Sequence, residues 1–409
     1  MGKKRIVITG VGVISPIGIG KDAFWQSLKE GKSGTKPITL FDVSKYNVKV
    51  GGEISEFDPA AILGKRGLLD FDRSTKLLLS SAKLALDDAG LEINENNNSR
   101  VGVSVGTTLG SLNSISKFNQ ESIIDGPQYA NPSVFPNTVV NSPASRIGIK
   151  FNIKGFNTTI STGMCSCLDA LEYACDFIEL NRVDAVLVGA VEDFSHQSFL
   201  GCYKLNYLSG IKEHDFPLSC PFDKRRNGIV LGEGATTFMV EGLEHALKRK
   251  ANIYAEVLSS SSCFGVGSYY KYLPNGGGMM RAMKIALSDG GLEPKDISCI
   301  FANANSTLDA DKIEAKEIKK IFDNDILTTS IKSYIGETFS VSGGFSLAAG
   351  VGAIINEYVA PVLNYSYKDP DCNLNFVRNS NCYFSPSKVM INTFSPNGPA
   401  SVAIIGKWQ

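Results

Sequence analysis

Cysteine thiols and histidine imidazoles are the groups in this chain with the most capacity for covalent, acid–base or metal chemistry. Of the nine cysteines, Cys165 and Cys167 form a C-x-C pair, while Cys175, Cys202, Cys220, Cys263, Cys299, Cys372 and Cys382 are scattered. A zinc site needs a second Cys/His pair at finger spacing, and none follows, so neither a metal nor another cofactor is expected. An odd, dispersed set of thiols fits a reducing compartment better than a disulfide framework. The three histidines (His196, His214 and His245) lie too far apart to form a local cluster, and His196 and His214 fall in loop-like sequence.

The surrounding composition limits the function classes. Lys plus Arg and Asp plus Glu are 41 each among 409 residues, giving no net charge. Without a basic excess there is little to displace counterions from nucleic acid. With 43% hydrophobic and 20% charged residues, the chain has enough apolar content for a large core. The longest apolar stretch, Phe345 to Ile355, is about half a membrane span. The N-terminal Ile6–Ile14 run is too short and glycine-rich for a signal segment, and Ile6 stands where a myristoylation pattern needs Ser or Thr. A cytoplasmic protein without a membrane partner is expected.

Short β-rich runs alternate with helical patterns. Arg5–Thr9 reads as a strand followed by a Gly10-Val-Gly12 turn, and Ser74–Ala89 as a helix stopped by Gly90. Cys167–Leu180 and Gly343–Val359 read as helices, Ile229–Val240 and Ile253–Leu258 as strands. Asn94–Ser99 is a polar surface loop. This alternation over about 1–250 and again over 251–409 predicts an α/β layered fold in two halves, with an internal duplication.

Several segments, in order along nearly the whole chain, resemble the β-ketoacyl synthases, the thiolase-like condensing enzymes. The strongest is Cys220-Pro-Phe-Asp-Lys-Arg-Arg-Asn-Gly-Ile-Val-Leu-Gly-Glu-Gly-Ala235, which looks like the family's PFD-x-x-R-x-G-F-V-x-G-E-G-A run. The opening Val7–Gly18, Pro274–Gly278, Lys332-Ser333 and Asp369–Phe376 fit as well. The resemblance implies a five-layered α-β-α-β-α thiolase fold built from two similar halves and used as a dimer. It also implies a reaction in which a cysteine at a helix N-terminus takes an acyl chain from acyl carrier protein. Two histidines then assist decarboxylation of the malonyl unit and stabilise the enolate and oxyanion.

All three of those positions are changed. The nucleophile motif T-A-C-x-[ST]-G falls on Thr162-Gly-Met-Cys-Ser-Cys167, so Met164 holds the nucleophile slot. A thioether has no ionisable proton and forms no thioester. The first histidine motif, N-A-H-G-T, falls on Asn303-Ala-Asn-Ser-Thr307 and places Asn305 in its slot; the second, K-S-x-x-G-H, falls on Lys332–Glu337 and places Glu337 there. Asp311 and Glu314 match the family's acidic pair and are read as structural. Pro396 replaces the phenylalanine of the entrance-gating loop, stiffening it. Cys165 is the fallback nucleophile, although one helical step turns a side chain by about 100° away from the slot.

The pattern is similar to that of the chain-length factor, the silent ketosynthase β subunit of type II polyketide synthases. That resemblance implies a heterodimer with an active ketosynthase, acting on a poly-β-ketone or polyene chain carried by the phosphopantetheine of acyl carrier protein. It implies tunnel-wall roles for Leu109, Leu112, Phe135, Thr138 and Cys202, each of which ordinary packing would also explain. Other readings stay open: a standalone condensing enzyme using Cys165, a malonyl-carrier decarboxylase using Asn305 and Glu337, and a scaffold that only binds carrier protein.

Overall fold

The computed structural model describes residues 4–212, 216–267, 271–322 and 325–408. His214 lies outside the described residues. The longer strands of the N-terminal half among the described residues are β1 (Ile6–Ser15), β2 (Val101–Gly106), β3 (Asn157–Ile160), β4 (Ala185–Glu192) and β5 (Gly234–Gly242). The C-terminal half contributes β6 (Ala255–Phe264), β7 (Cys299–Phe301), β8 (Leu327–Thr329), β9 (Lys388–Phe394) and β10 (Pro399–Gly406). In the first half β1 pairs antiparallel with β5, β5 antiparallel with β4, β4 parallel with β2, and β2 parallel with β3. The second half repeats this pattern strand for strand: β6–β10 and β10–β9 antiparallel, β9–β7 and β7–β8 parallel. The two sets meet along β1 and β6, where Ile6 faces Val257. An internal duplication is therefore visible in the pairing.

The helices that position the site follow from local chemistry. They are α1 (Lys21–Lys29), α2 (Arg73–Ala89), α3 (Leu112–Ile124), α4 (Ser142–Lys150), α5 (Ser166–Glu179), α6 (His196–Lys204), α7 (Leu243–Lys248), α8 (Gly277–Asp289), α9 (Leu308–Phe322) and α10 (Ser342–Asn356). Asp72 caps α2 by accepting the Thr75 N–H at 2.9 Å, and Gly90 ends it in the left-handed conformation. Helices α5 and α10 pack together in the central layer and share one core cluster, which includes Leu168, Leu171, Phe345 and Leu347. The 18-residue stretch Phe339–Asn356 has the length and apolarity of a membrane span, yet 83% of it is buried inside the fold. It is the middle of the core.

Several sequence expectations shift. The Gly10-Val-Gly12 segment is strand, not turn. A Cβ at Gly10 would meet the Ala85 carbonyl oxygen at 2.3 Å and one at Gly12 the Ser81 oxygen at 1.9 Å, so these glycines let α2 lie directly on β1. The expected strand Ile229–Val240 begins only at Gly234, because Val230 and Gly232 instead hydrogen-bond the backbone of Glu337. The expected helix Gly343–Val359 ends at Asn356, and Tyr358–Val359 is a short strand. His196 opens α6 rather than sitting in a loop; its Nε2 lies 3.0 Å from the Tyr46 hydroxyl. The expectations missed α3, α4 and β3 entirely.

Candidate functional site

Strand β3 delivers the chain into a turn, Gly163–Cys165, that opens α5. Ser166 locks this turn: its hydroxyl donates to the Gly163 carbonyl at 2.7 Å and accepts the Thr162 N–H at 3.0 Å. Asp169 anchors it from within α5, accepting from the hydroxyls of Thr162 and Ser401. Met164 sits at the apex, 7% exposed, with its Sδ 3.6 Å from the Tyr272 hydroxyl.

The neighbouring thiols turn away from that apex. Cys165 is fully buried and its Sγ–H donates to the Thr393 carbonyl at 3.2 Å, on β9. Burial, helped by the negative charge of Asp169, pushes this thiol up to about 12. Cys167, where the family pattern has glycine, lies in the central core and is likewise pushed to about 12 by burial. A helix N-terminus ordinarily favours thiolate, but here desolvation wins. Cys165 is therefore held in the protonated form, whereas nucleophilic attack requires the thiolate.

The other two slots meet in one buried network. The Glu337 carboxylate accepts from Lys332 Nζ at 2.8 Å, Asn305 Nδ2 at 3.0 Å, the Phe339 N–H at 2.9 Å and the Ser342 hydroxyl at 2.7 Å. A carboxylate has about four acceptor positions, and these partners fill them. Lys332 also donates to Asn303 Oδ1 at 3.0 Å. Asn305 Oδ1 accepts from the Thr307 hydroxyl at 2.8 Å. Both charged partners are buried, so the pair is held by matched hydrogen bonds inside the protein. The network holds no imidazole: its side-chain nitrogens, Lys332 Nζ and Asn305 Nδ2, both act as donors to the carboxylate.

Asp311 and Glu314 hold the 303–306 loop from α9, as the sequence reading expected of structural residues. Glu314 accepts the N–H groups of Asn303 (2.9 Å) and Ala304 (2.8 Å), and Asp311 those of Phe222 and Asn305 (both 2.8 Å). Burial raises their carboxyls to about 7 and about 6 respectively. The Phe394 carbonyl joins the two sides of the pocket, accepting from Asn303 Nδ2 at 3.1 Å and from the Tyr272 hydroxyl at 3.2 Å. Pro396 follows in the tight turn between β9 and β10, where the Gly398 N–H bonds the Ser395 carbonyl at 3.1 Å.

The residues read as tunnel wall are spread over two regions. The Leu109 N–H donates to Glu192 at 3.2 Å, and Leu112 opens α3. Glu192 also accepts from the Thr108 N–H and, at 2.8 Å, from the Ser340 hydroxyl; burial raises it to about 7. Phe135 is 55% exposed and packs on Phe118, with ring centroids 5.8 Å apart. Thr138 donates to the Phe135 carbonyl at 2.7 Å. Cys202 is instead buried on α6 among Ile38, Phe199, Leu208 and Leu231.

Sequence reasoning missed two features beside the site. One is Tyr272, which has no spacing relation to Met164. The other is the face around β3, the outermost strand of its sheet. Thr159 Oγ1 on this strand is buried without a hydrogen-bond partner. A groove of ≈510 Å³ runs beside it, lined by Val140, Ile149 and Thr158 among others. Ile123, Ile124, Tyr129, Phe135, Val139, Val140 and Ile149 are all exposed in this region.

Two halves with the same strand pairing, joined along one large mixed sheet, with a helix-opening turn facing two loops of the second half define a thiolase-like condensing-enzyme fold. The sequence models of the beta-ketoacyl synthase N-terminal and C-terminal domains match residues 3–246 and 254–366. The chain belongs to the β-ketoacyl synthase family. It is 35% identical to a 3-oxoacyl-[acyl-carrier-protein] synthase 2 of Coxiella burnetii, covering 100% of this chain and 99% of that one. It is 32% identical to the enzyme of the same name from Synechocystis, with the same coverage. Among solved structures, the ishigamide ketosynthase/chain length factor superposes with a TM-score of 0.93 at 29% identity, covering 100% of both chains. A type II polyketide synthase acyl-carrier protein in complex with its ketosynthase bound to the hexaketide superposes at 0.91 and 26% identity, again over 100% of both chains.

Proposed function

We propose that this chain is the catalytically silent subunit of a heterodimeric ketosynthase. Its active partner carries the cysteine and histidines, and the pair extends a polyketide or polyene chain held on acyl carrier protein. The observation that carries this reading is the pocket itself: a thioether at residue 164, thiols buried away from it, and a carboxylate–lysine–asparagine network in place of two imidazoles. In this reading residues 1–250 and 251–409 are its two halves, and it acts in the cytoplasm. Leu109, Leu112, Phe135, Thr138 and Cys202 help shape the tunnel that sets chain length, and Pro396 holds a loop that no longer needs to open. The apolar face beside β3 gives a partner subunit a sheet edge and hydrophobic area to cover.

The competing reading, a standalone condensing enzyme, is favoured by the relatives named 3-oxoacyl-[acyl-carrier-protein] synthase 2. The two separate cleanly by experiment. The chain is incubated, alone and with a co-expressed ketosynthase, with an acyl-carrier-protein thioester and read by intact mass. No mass gain on this chain, acylation of the partner and a 1:1 complex are expected. An acyl group on Cys165, or condensing activity from a homodimer of this chain, would overturn the proposal.

A further inference from the structure

The segment that follows β6 contributes a side chain to the pocket that neither the nucleophile turn nor the two slots account for. Tyr272 reaches in from this segment, which the Gly265 N–H ties to the Gly398 carbonyl at 2.8 Å. Its hydroxyl lies 3.6 Å from Met164 Sδ and 3.2 Å from the Phe394 carbonyl oxygen. Tyr272 is partly buried as a whole, and its two contacts set the hydroxyl end between Met164 of the first half and Phe394 of the second. Burial and the nearby Glu337 carboxylate raise the phenol well above its ordinary range. The adjoining cavity on the outer side of the ring, lined by Tyr272, Leu273, Phe394 and Pro396 among others but not by Met164, holds only ≈20 Å³. That is room for about one water, whereas sites for small organic ligands run to about 300 Å³ and more.

We propose that Tyr272 is a plug: its ring fills the channel through which a thioester would reach residue 164, so the pocket is closed sterically as well as disarmed chemically. This inference rests on the assignment of Met164 to the nucleophile slot. It makes the loss of function double. A thiol restored at residue 164 would stay out of reach of solutes until the ring is removed. It also closes the same pocket to a malonyl thioester, which counts against decarboxylation there.

The test compares Met164→Cys with Met164→Cys/Tyr272→Ala in the full chain. Each is treated with iodoacetamide, whose carbon bonds to the thiolate sulfur as iodide leaves, and residue 164 is read by peptide mass spectrometry. Partly exposed Cys263 and Cys382 serve as internal positive controls, and buried Cys165 and Cys167 report that the fold is intact. Residue 164 is expected to label roughly tenfold or more faster in the double variant than in the single one. Equal rates in the two variants would overturn the plug. A second measurement needs no new thiol: dilute hydrogen peroxide transfers one oxygen to Met164 Sδ and leaves as water. Sulfoxide at residue 164 is expected in Tyr272→Ala, not in the native chain or in Tyr272→Phe, which keeps the ring. Oxidation of Tyr272→Phe at the rate of Tyr272→Ala would also overturn it. Neither readout depends on acylation, so a failed plug and a failed assignment of silence give different results.

Discussion

The pocket between the two halves and the face beside β3 are opposites. In the pocket, the charged network is matched: Glu337 has four donors, Lys332 two acceptors, and the Tyr272 hydroxyl lies 3.6 Å from Met164 Sδ. On the face, Ile149 is 73% and Val140 44% exposed, and among the described residues no further strand pairs with the sheet edge and the Thr159 hydroxyl has no hydrogen-bond partner. An enzyme keeps the cost of unsatisfied groups where the reaction happens. Among the described residues, the charged groups of the Glu337 network are hydrogen-bonded, whereas β3 ends its sheet. The difference fits the proposed heterodimer, in which this chain works at its boundary with another molecule.

The largest effect should come from breaking the surface side of that contrast. Val140→Asp/Ile149→Asp puts two charges onto apolar positions that this chain leaves exposed. The isolated chain should keep its melting temperature, since exposed substitutions shift stability by about 0.5 kcal/mol or less. Affinity for the partner ketosynthase, measured by titration calorimetry or co-purification, should fall by roughly a hundredfold or more. Loss of folding instead would mean that the face belongs to this chain's own core.

The next effect breaks the interior side. Lys332→Met removes the cation from the Glu337 carboxylate and leaves a buried charge without its counterion, at a cost of about 3–5 kcal/mol in denaturant unfolding. Lys332→Met/Glu337→Leu removes both charges and should recover most of that loss. Recovery would show a structural pair. A double variant as unstable as the single would show that Asn303 and Asn305 depend on the charges as well.

Acidity sharpens the comparison further. Glu192, which holds the Thr108 and Leu109 N–H groups, has its carboxyl raised by burial from the ordinary 4.5 to about 7. A carboxyl raised in the folded state adds stability that is fully present below the unfolded value and is lost as pH rises through the folded one. Glu314 and Asp311 act in the same sense, through about 7 and about 6. Glu241, held near 2 by His245, Arg249 and Thr9 against its own burial, acts oppositely and adds stability that is lost only as pH falls below the ordinary range. The melting temperature should therefore be highest near about pH 5 and decline toward about pH 8. Glu192→Gln, neutral at every pH, should flatten part of that decline; an unchanged slope would remove Glu192 from the account.

These contrasts also mark what the sequence could and could not tell. The ordered motifs located Met164, Asn305 and Glu337 because each sits in a run whose other residues keep a fixed local role. Glu314 and Asp311 were readable as structural for the same reason: both accept backbone N–H groups of the first histidine motif, although the bond from Phe222 to Asp311 was not legible. Tyr272 was not, because it meets Met164 only through a packed tertiary loop. Strand β3 reads Asn-Thr-Thr-Ile and shows no alternation, since an edge strand with partly exposed faces has no core side to mark. Helix α3 buries only Ser114 within this chain, so its apolar residues make no stripe toward a core. Gly10 and Gly12 were misread because glycine marks close helix approach as readily as a turn.

The smallest effect isolates one residue of the first histidine motif. Ser306 stands where the family pattern has glycine and keeps a left-handed backbone with φ of 73°. That conformation costs a residue with a Cβ about 1 kcal/mol. Its hydroxyl offsets the cost by accepting the buried Cys220 N–H at 2.7 Å, tying the 303–306 loop to the Cys220–Ala235 run. Ser306→Gly relieves the strain but orphans that N–H, which costs about 1–3 kcal/mol, so a net loss of about 1 kcal/mol is expected. Ser306→Ala loses the bond and keeps the strain, and should be about 1 kcal/mol worse than glycine in the same urea titration. If alanine matched glycine, the backbone would not be strained. If glycine exceeded the native chain, the hydroxyl would contribute nothing, and the family's glycine would be the more stable choice at this position.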